Sequence, residues 1–399
     1  MSTTLKIILK SGKDDAVRRF HPWVFSGAIK KIEGAARNGC HAEVFSNKDE
    51  YLGCGIYQDA TIAVRLLAFA PERPETFGPE FWYNKLKNAR QLRAQAGLTD
   101  NSSTNVYRLT HGEGDHVPGL IIDHYDGLLV IQIHATGLYN YISHIADALK
   151  NLYGSHLKGI YDKSRETLPD LFREQLPQEV GISNEHVTEI EVLENNHRFL
   201  VDIKKGQKTG FFIDQRDNRQ LLTHYCQDKK VLNTFSYSGG FSVYALQAGA
   251  SEVHSLDSSA RAIELAEQNL ARNFNDVNHR SITDDALQYL RQTDESYDVI
   301  VLDPPAYAKH QHVKHKAVQG YKRLNLEALK KMAMGGILFT FSCSQVVDTR
   351  LFYDTVTAAA ILAGRNVRVL HRLSQPADHP VNIFHPEGQY LKGLVLRVD

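Results

Sequence analysis

Two short stretches of the chain carry side chains able to do chemistry. In GGILFTFSCSQVVD, residues 335–348, the thiol of Cys343 stands between Ser342 and Ser344, where an apolar run gives way to small polar residues. In VIVLDPPAYAK, residues 299–309, the carboxylate of Asp303 precedes two prolines that offer no backbone donor and stiffen the chain. A thiolate is a nucleophile, and a carboxyl group accepts or donates a hydrogen bond according to its protonation. Three further places present polar groups or glycines after an apolar run: Phe235-Ser-Tyr-Ser-Gly-Gly240, Asp257, and Asp284-Asp285.

The runs that would position these groups recur in a regular order. KVLNTF, EVHSLD, HRSIT, YDVIVLD, ILFTFSC and VRVLHRL are separated by helical stretches from about residue 205 onward, and LKGLVLRV follows. Strands alternating with helices predict an α/β fold with a doubly wound, mostly parallel sheet. Upstream, LKIIL, AEVFS, YLGCGIY and IAVRLLAF read as a small β-rich unit over 1–72, ended by PERPETFGPE. Residues 76–204 read as a central α+β unit. It has a helix in FWYNKLKNARQLRAQAG, a hairpin turning at Asp126-Gly127, a helix near 140–152 and a second hairpin over 189–203. Asp214 is placed to cap the helix that follows it.

In such a sheet, ligands bind at the carboxyl ends of the strands, where all of these groups fall. Asp257 lies about as far beyond the glycine turn as a carboxylate that grips a ribose diol. NAD is disfavoured, because Phe-Ser-Tyr-Ser-Gly-Gly lacks the GxGxxG spacing that brings backbone to a pyrophosphate. S-adenosylmethionine has no phosphate and needs only a tight turn. Asp284-Asp285 would then face the adenine amino group, and the strand ends together resemble a class I methyltransferase. In the usual strand order of that fold the fourth and fifth strands are neighbours, which brings Cys343 beside Asp303.

A thiol there suits one reaction. Carbon 5 of cytosine or uracil is too weak a nucleophile to accept a methyl group until a thiolate has added at carbon 6. Asp303 would hold the ring edge at nitrogen 3 while charge develops. Free cysteine is also an ordinary core residue, but the flanking serines and the facing DPP favour the nucleophile. A base in a duplex hides these carbons, so the substrate must be single-stranded or flipped out.

Composition bounds the rest. The 399 residues hold 46 Lys plus Arg and 46 Asp plus Glu, so zero net charge gives no global attraction to nucleic acid. Local patches do exist. Residues 1–31 are basic and interleave Arg18 and Arg19 with the aromatics of RRFHPWVF, and Lys309 to Arg323, with Lys314 and Lys316, holds no acid. The second patch is expected to be mobile without RNA and to clamp phosphates. Cys40, Cys54, Cys226 and Cys343 show no CxxC spacing, which disfavours a disulfide framework or a metal site. With no apolar run of membrane length and no secretion signal, a cytoplasmic location is expected, and the β-rich N-terminal unit is a candidate to form a homodimer.

HPWVFSGAI, KTGFFIDQRDNR, VLNTFSYSGGFSV, DPPAYAK, GYKRLN and FTFSCS together resemble the bacterial PUA-domain large-subunit rRNA cytosine-5 methyltransferases, over essentially the whole chain. The resemblance implies a PUA-like RNA-binding domain, the central α+β domain and a Rossmann-like methyltransferase domain over 205–399 with a seven-stranded sheet. S-adenosylmethionine would be the cofactor and ribosomal RNA the partner. By position, Cys343 would be the nucleophile, Asp303 would orient the base, Asp257 would hold the ribose, and Asp285 with Asp284 the adenine. Phe235, Tyr237 and Gly239 would line the cofactor, closed by Asp214, Gln215 and Arg216. The chain departs from the broader RNA 5-methylcytosine enzymes in having no cysteine after Pro304, so product release would proceed without that helper.

Two other readings stay open. DPP also resembles the motif of enzymes that methylate amino groups of adenine or guanine, although Ala306 separates the prolines from Tyr307. The chain would alternatively be a non-catalytic RNA-binding assembly factor that keeps the cofactor fold as a scaffold.

Overall fold

The computed structural model describes residues 4–174, 176, 181–183, 189–308 and 313–399. The chain forms two compact units. One comprises Met1–Ile190, Asp202–Gly210 and Ala377–Gly388; the other comprises Glu191–Val201, Phe211–Pro376 and Gln389–Asp399.

In the first unit, strands Leu5–Leu9, Trp23–Phe25, Ile29–Glu33, His41–Phe45, Tyr51–Tyr57 and Ile62–Phe69 build a six-stranded sheet. LKIIL alternates buried and half-buried, so Leu5, Ile7 and Leu9 enter the core, as period-2 patterning requires. A five-stranded sheet follows, including Val106–His111, Leu120–Tyr125 and Leu128–Ile133, with a core shared by helices Pro79–Gln95 and Ile142–Tyr153. The Asp126-Gly127 turn has φ of 47° and 90°, the left-handed pair that matches the twist of a two-residue hairpin. Asn195 and Asn196, at 49° and 65°, turn the hairpin Glu189–Glu194 and His197–Asp202 in the same way.

The second unit contains a seven-stranded sheet. Its strands are β1 (Lys230–Thr234), β2 (Glu252–Asp257), β3 (His279–Thr283), β4 (Tyr297–Leu302), β5 (Met332–Ser342), β6 (Val367–Leu373) and β7 (Lys392–Val398). The order is β3-β2-β1-β4-β5-β7-β6; β1 to β5 run parallel, and β7 is antiparallel to both neighbours. Five helices matter below: α1 (Gly240–Gln247), α2 (Ala260–Asn273), α3 (Ala286–Gln292), α4 (Lys314–Lys331) and α5 (Thr349–Ala363). Helices cover a parallel sheet, which is why Val299 to Leu302 form an unbroken buried run rather than an alternation. The strand order reverses between β1 and β4, so the crevice beyond their carboxyl ends is the natural ligand position.

Two local expectations are corrected. The patch from Lys309 to Arg323, expected to be mobile without RNA, is helical from Lys314 onward. Ala317, Tyr321, Leu324 and Ala328 recur at helical spacing and are buried, which anchors α4 against the sheet. Lys309 itself lies outside the described residues. Asp214 does not cap a helix: the cap position before Arg216–Leu222 is Gln215, and Asp214 accepts a hydrogen bond from the Tyr390 hydroxyl at 2.7 Å.

Candidate active site

The β1 and β2 ends form a tightly tied loop. Phe235, Tyr237 and Gly239 have φ of 54°, 46° and 73°, three left-handed residues within five. For the two aromatics this costs on the order of 1–3 kcal/mol each, strain that persists only where surroundings hold it. They do: the Ser236 N–H donates to Leu256 O at 3.0 Å, the Tyr237 N–H to Asp257 Oδ2 at 3.0 Å, and Asn269 Nδ2 to Ser238 O at 2.9 Å. Gly239 is required twice over, because a Cβ there would meet the Ala266 Cβ at 3.0 Å in addition to the adverse φ.

Asp257 is fixed by two backbone donors, Tyr237 N–H on Oδ2 and Ser259 N–H on Oδ1 at 2.9 Å. A carboxylate has about four acceptor positions, so half its capacity remains for a diol. Ser236 Oγ is buried with no hydrogen-bond partner among the described residues, an unused hydroxyl on the same loop. The loop, the carboxylate and the spare hydroxyl fit a nucleoside ligand without phosphates. At the β3 end Asp285 caps α3 through the Gln288 N–H at 2.9 Å, and Asp284 Oδ1 accepts the Asp285 N–H at 2.7 Å. The Asp284 N–H donates to Asp257 O at 3.1 Å, tying the two strand ends together.

The segment preceding β1 joins this loop. The Phe212 ring meets the Tyr237 ring edge-on at 5.1 Å. Asp214, Gln215 and Arg216 are buried; Asn218 Nδ2 donates to Gln215 Oε1 at 2.6 Å, and Arg216 Nε lies 3.4 Å from Asp217. Arg219 holds the segment, with a bidentate pair to buried Glu194 at 2.8 and 2.7 Å and a bond to Phe212 O at 3.0 Å.

The other half of the carboxyl edge carries Asp303 and Cys343. Leu302 pairs with Thr340 in the β4–β5 ladder, so Asp303 and Cys343 emerge beside each other. Cys343 Sγ lies 3.9 Å from Pro304 O, and the thiol is half-buried while Ser342 and Ser344 are fully buried. Asp303 is half-buried at the start of the DPP loop. Ser344 Oγ lies 2.9 Å from the Tyr321 hydroxyl and 3.4 Å from the Ala308 nitrogen, which ties the Cys turn to α4 and to the DPP loop.

Lys392 opens β7 directly across the ladder from Ser342 and donates to Ser344 O and Val347 O, each at 2.7 Å. Burial pushes its ammonium down to about 8, opposed by the charges of Cys343 and Asp348. Two of the other three thiols differ in kind, Cys40 being half-buried like Cys343. Cys54 and Cys226 are fully buried, and burial raises both, Cys226 to about 12. They are inert core residues.

The structure thus gathers Asp214, Gln215, Arg216, Phe235, Tyr237, Gly239, Asp257, Asp284, Asp285, Asp303 and Cys343 at or before the carboxyl ends of one sheet. The basic residues are not alike. Arg18 is engaged by Asp14 at 2.7 Å and by Glu50, whereas Arg19 is exposed; Lys314 and Lys316 occupy the first turn of α4. Sequence reasoning named Ser344 only as a neighbour of the thiol and missed Lys392, Tyr321 and Tyr390. Only Lys392 left a signal, a lysine opening the otherwise apolar LKGLVLRV. In the first unit His21, His385 and Glu387 bring possible ligand atoms within 4.8 Å of one another. The Trp23 N–H donates to His21 Nδ1 at 3.2 Å, which leaves the neutral ring's proton on the nitrogen that faces Glu387. That is the wrong tautomer for a metal ligand there.

A doubly wound sheet with this strand order, a strained glycine loop without phosphate spacing and a carboxylate at the second strand define an S-adenosylmethionine-dependent methyltransferase. The family model for S-adenosylmethionine-dependent methyltransferases matches residues 107–397, and a PUA-like domain model matches residues 7–69. The chain belongs to this methyltransferase family. It is 39% identical to ribosomal RNA large subunit methyltransferase I of Aeromonas salmonicida over 98% of both chains. It is 36% identical to the protein of that name from Escherichia coli O139:H28, over 99% of this chain and 100% of the relative. Among solved structures it resembles a chain from Streptococcus mutans described as a SAM-dependent methyltransferase, with a TM-score of 0.82, 22% identity and coverage of 98% and 99%. A methyltransferase solved as a complex with SAH has a TM-score of 0.83, also at 22% identity, covering 99% of each chain. No helix among the described residues is long and apolar enough to cross a membrane.

Proposed function

We propose that the protein forms 5-methylcytosine in large-subunit ribosomal RNA through a transient bond between Cys343 and carbon 6 of the target base. The observation that carries this reading is the half-buried Cys343 thiol at the β5 end, 3.9 Å from Pro304 O of the DPP loop. The names of the relatives support ribosomal RNA as the substrate.

Phe235, Tyr237 and Gly239 line the cofactor, Asp257 accepts from the ribose hydroxyls, Asp284 and Asp285 meet the adenine amino group, and Asp214, Gln215 and Arg216 close the site. The bound sulfonium supplies an electrophilic methyl group. Lys392, as an ammonium below about pH 8, favours the Cys343 thiolate electrostatically. The thiolate adds to carbon 6, and Asp303, as its carboxylic acid, donates a hydrogen bond to nitrogen 3 as negative charge moves there. Carbon 5, now enamine-like, takes the methyl group. Loss of the carbon 5 proton then restores the ring double bond and expels the Cys343 sulfur.

Arg18, Arg19, Lys309, Lys314 and Lys316 contact RNA phosphates in this reading, within a division into a PUA-like domain over 1–72, a central domain over 76–204 and a catalytic domain over 205–399. The protein works in the cytoplasm, and its N-terminal unit pairs two copies into a homodimer. The test is to map methylated nucleotides in ribosomal RNA from cells with and without the protein, and with Cys343→Ala. One 5-methylcytosine should vanish in the last two. A methylated exocyclic amine that survives Cys343→Ala would replace this reading with amino-group methylation.

A further inference from the structure

The second unit holds a cavity of about 650 Å³ between α5, β6 and β7 that none of the assigned residues explains. Arg350, Arg372 and Lys392 line it, and no carboxylate does, in a chain whose charges otherwise balance at 46 and 46. Its remaining walls are largely apolar, including Tyr353, Leu373 and Leu394. The Arg372 guanidinium stands 5.8 Å from the centre of the Tyr353 ring, a cation and a flat π-face presented together. Arg350 also touches Asp354 at 3.0 Å, an exposed pair that leaves the guanidinium available at little cost.

The position of the cavity says what it would hold. The proposed cofactor residues belong to β1, β2 and β3, the nucleophile follows β5, and the cavity lies past β5 on β7 and β6. It is therefore on the side of the thiol away from the cofactor. Lys392 connects the two places: it lines the cavity, pairs across the ladder with Ser342 and holds the Cys turn through Ser344 O and Val347 O. Neighbouring strands stand about 4.8 Å apart, so the cavity begins one strand from the residue before the nucleophile. Arginines in a lining that holds no carboxylate, beside an aromatic face, suit a phosphate and a base from one unstacked nucleotide.

We propose that this cavity is an RNA subsite that takes a nucleotide adjacent to the target, with its base against Tyr353 and its phosphate against Arg372 and Arg350. The inference rests on the reading of the protein as an RNA methyltransferase.

Arg372→Glu and Tyr353→Ala test it, with steady-state methylation of a ribosomal RNA fragment, S-adenosylmethionine calorimetry, and iodoacetamide alkylation of Cys343. The KM for RNA should rise by about tenfold in each variant, the size of a lost base stack or phosphate contact, while cofactor affinity and alkylation rate stay at wild-type values. A KM within twofold of wild type in both variants would overturn the subsite while leaving the methyltransferase reading intact. A wild-type chain that methylates no RNA would sink both. Should a variant not fold, the wild-type chain decides: RNA with 4-thiouridine next to the target should cross-link to the α5 peptide containing Tyr353, and cross-linking only elsewhere contradicts the proposal.

Discussion

The proposed cofactor end of the seven-stranded sheet, at β1 to β3, and its proposed nucleophile end, at β4, β5 and β7, hold their groups by different means. At the first, backbone does the holding: the loop with left-handed Phe235, Tyr237 and Gly239 is pinned by hydrogen bonds from the Ser236 and Tyr237 N–H groups to Leu256 O and the Asp257 carboxylate, and both Asp257 and Asp285 are fixed by main-chain N–H donors. At the second, side chains do it: Tyr321 on Ser344, and Lys392 on Ser344 O and Val347 O, with a buried ammonium near a thiol. A ligand that must only be gripped is served by fixed geometry. A thiol that changes charge in the proposed reaction is served by a neighbouring charge.

The contrast is broken most severely at Cys343. Cys343→Ala should reduce methyl transfer at least about a thousandfold yet leave S-adenosylmethionine affinity within about twofold, read by kinetics and calorimetry. Asp257→Ala should do the reverse, weakening cofactor binding by about ten- to a hundredfold, the range for lost hydrogen bonds to a charged group. A thiol variant that loses cofactor binding, or an Asp257 variant that keeps it, erases the distinction between the two ends.

Gly239→Ala sharpens the geometric side. The added methyl meets Ala266 at 3.0 Å in an unfavourable φ region, and stability should fall by about 1–3 kcal/mol, seen as a lower Tm.

Lys392 sharpens the charged side through pH. Its folded value is about 8 against an ordinary 10.5, so between those values the unfolded chain binds more protons and stability rises with pH. Below about pH 8 the full cost of burying the ammonium is present, on the order of 3 kcal/mol at most. Compared with Lys392→Met, the wild type should gain Tm from pH 8 to 10.5; a constant difference would show that no such shift exists. The smallest effect is expected in the first unit. Arg19→Ala should weaken RNA binding a few-fold and reduce the salt slope by about one, and Arg18→Ala less, because Arg18 is already engaged by Asp14 and Glu50.

This contrast also explains what the sequence discloses. Strand runs such as YDVIVLD and ILFTFSC fix the sheet, because burial on both faces demands unbroken apolar stretches, and the meeting of Cys343 with the DPP loop follows from strand order. Local backbone chemistry is written in consecutive residues, so Gly239 and Asp257 can be read directly. The bonds from Tyr321 to Ser344, from Tyr390 to Asp214 and from Lys392 to Ser344 join residues far apart in the chain, and no short motif encodes them. Composition misled at Lys309 to Arg323, where charge suggested a loose loop and the buried positions of Ala317, Tyr321, Leu324 and Ala328 make a helix from Lys314. The return of Ala377–Gly388 to the first unit was equally silent, because it depends on partners such as Arg93, which bonds Asp378 O at 2.8 Å.

The covalent step is tested most directly by incubating the protein and S-adenosylmethionine with ribosomal RNA containing 5-fluorocytosine, in which the fluorine cannot leave as a proton does. A denaturation-resistant adduct linking Cys343 to one nucleotide, absent in Cys343→Ala, is the predicted result. Methyl transfer to normal RNA by the Cys343→Ala chain, with no adduct from the wild type, would contradict it.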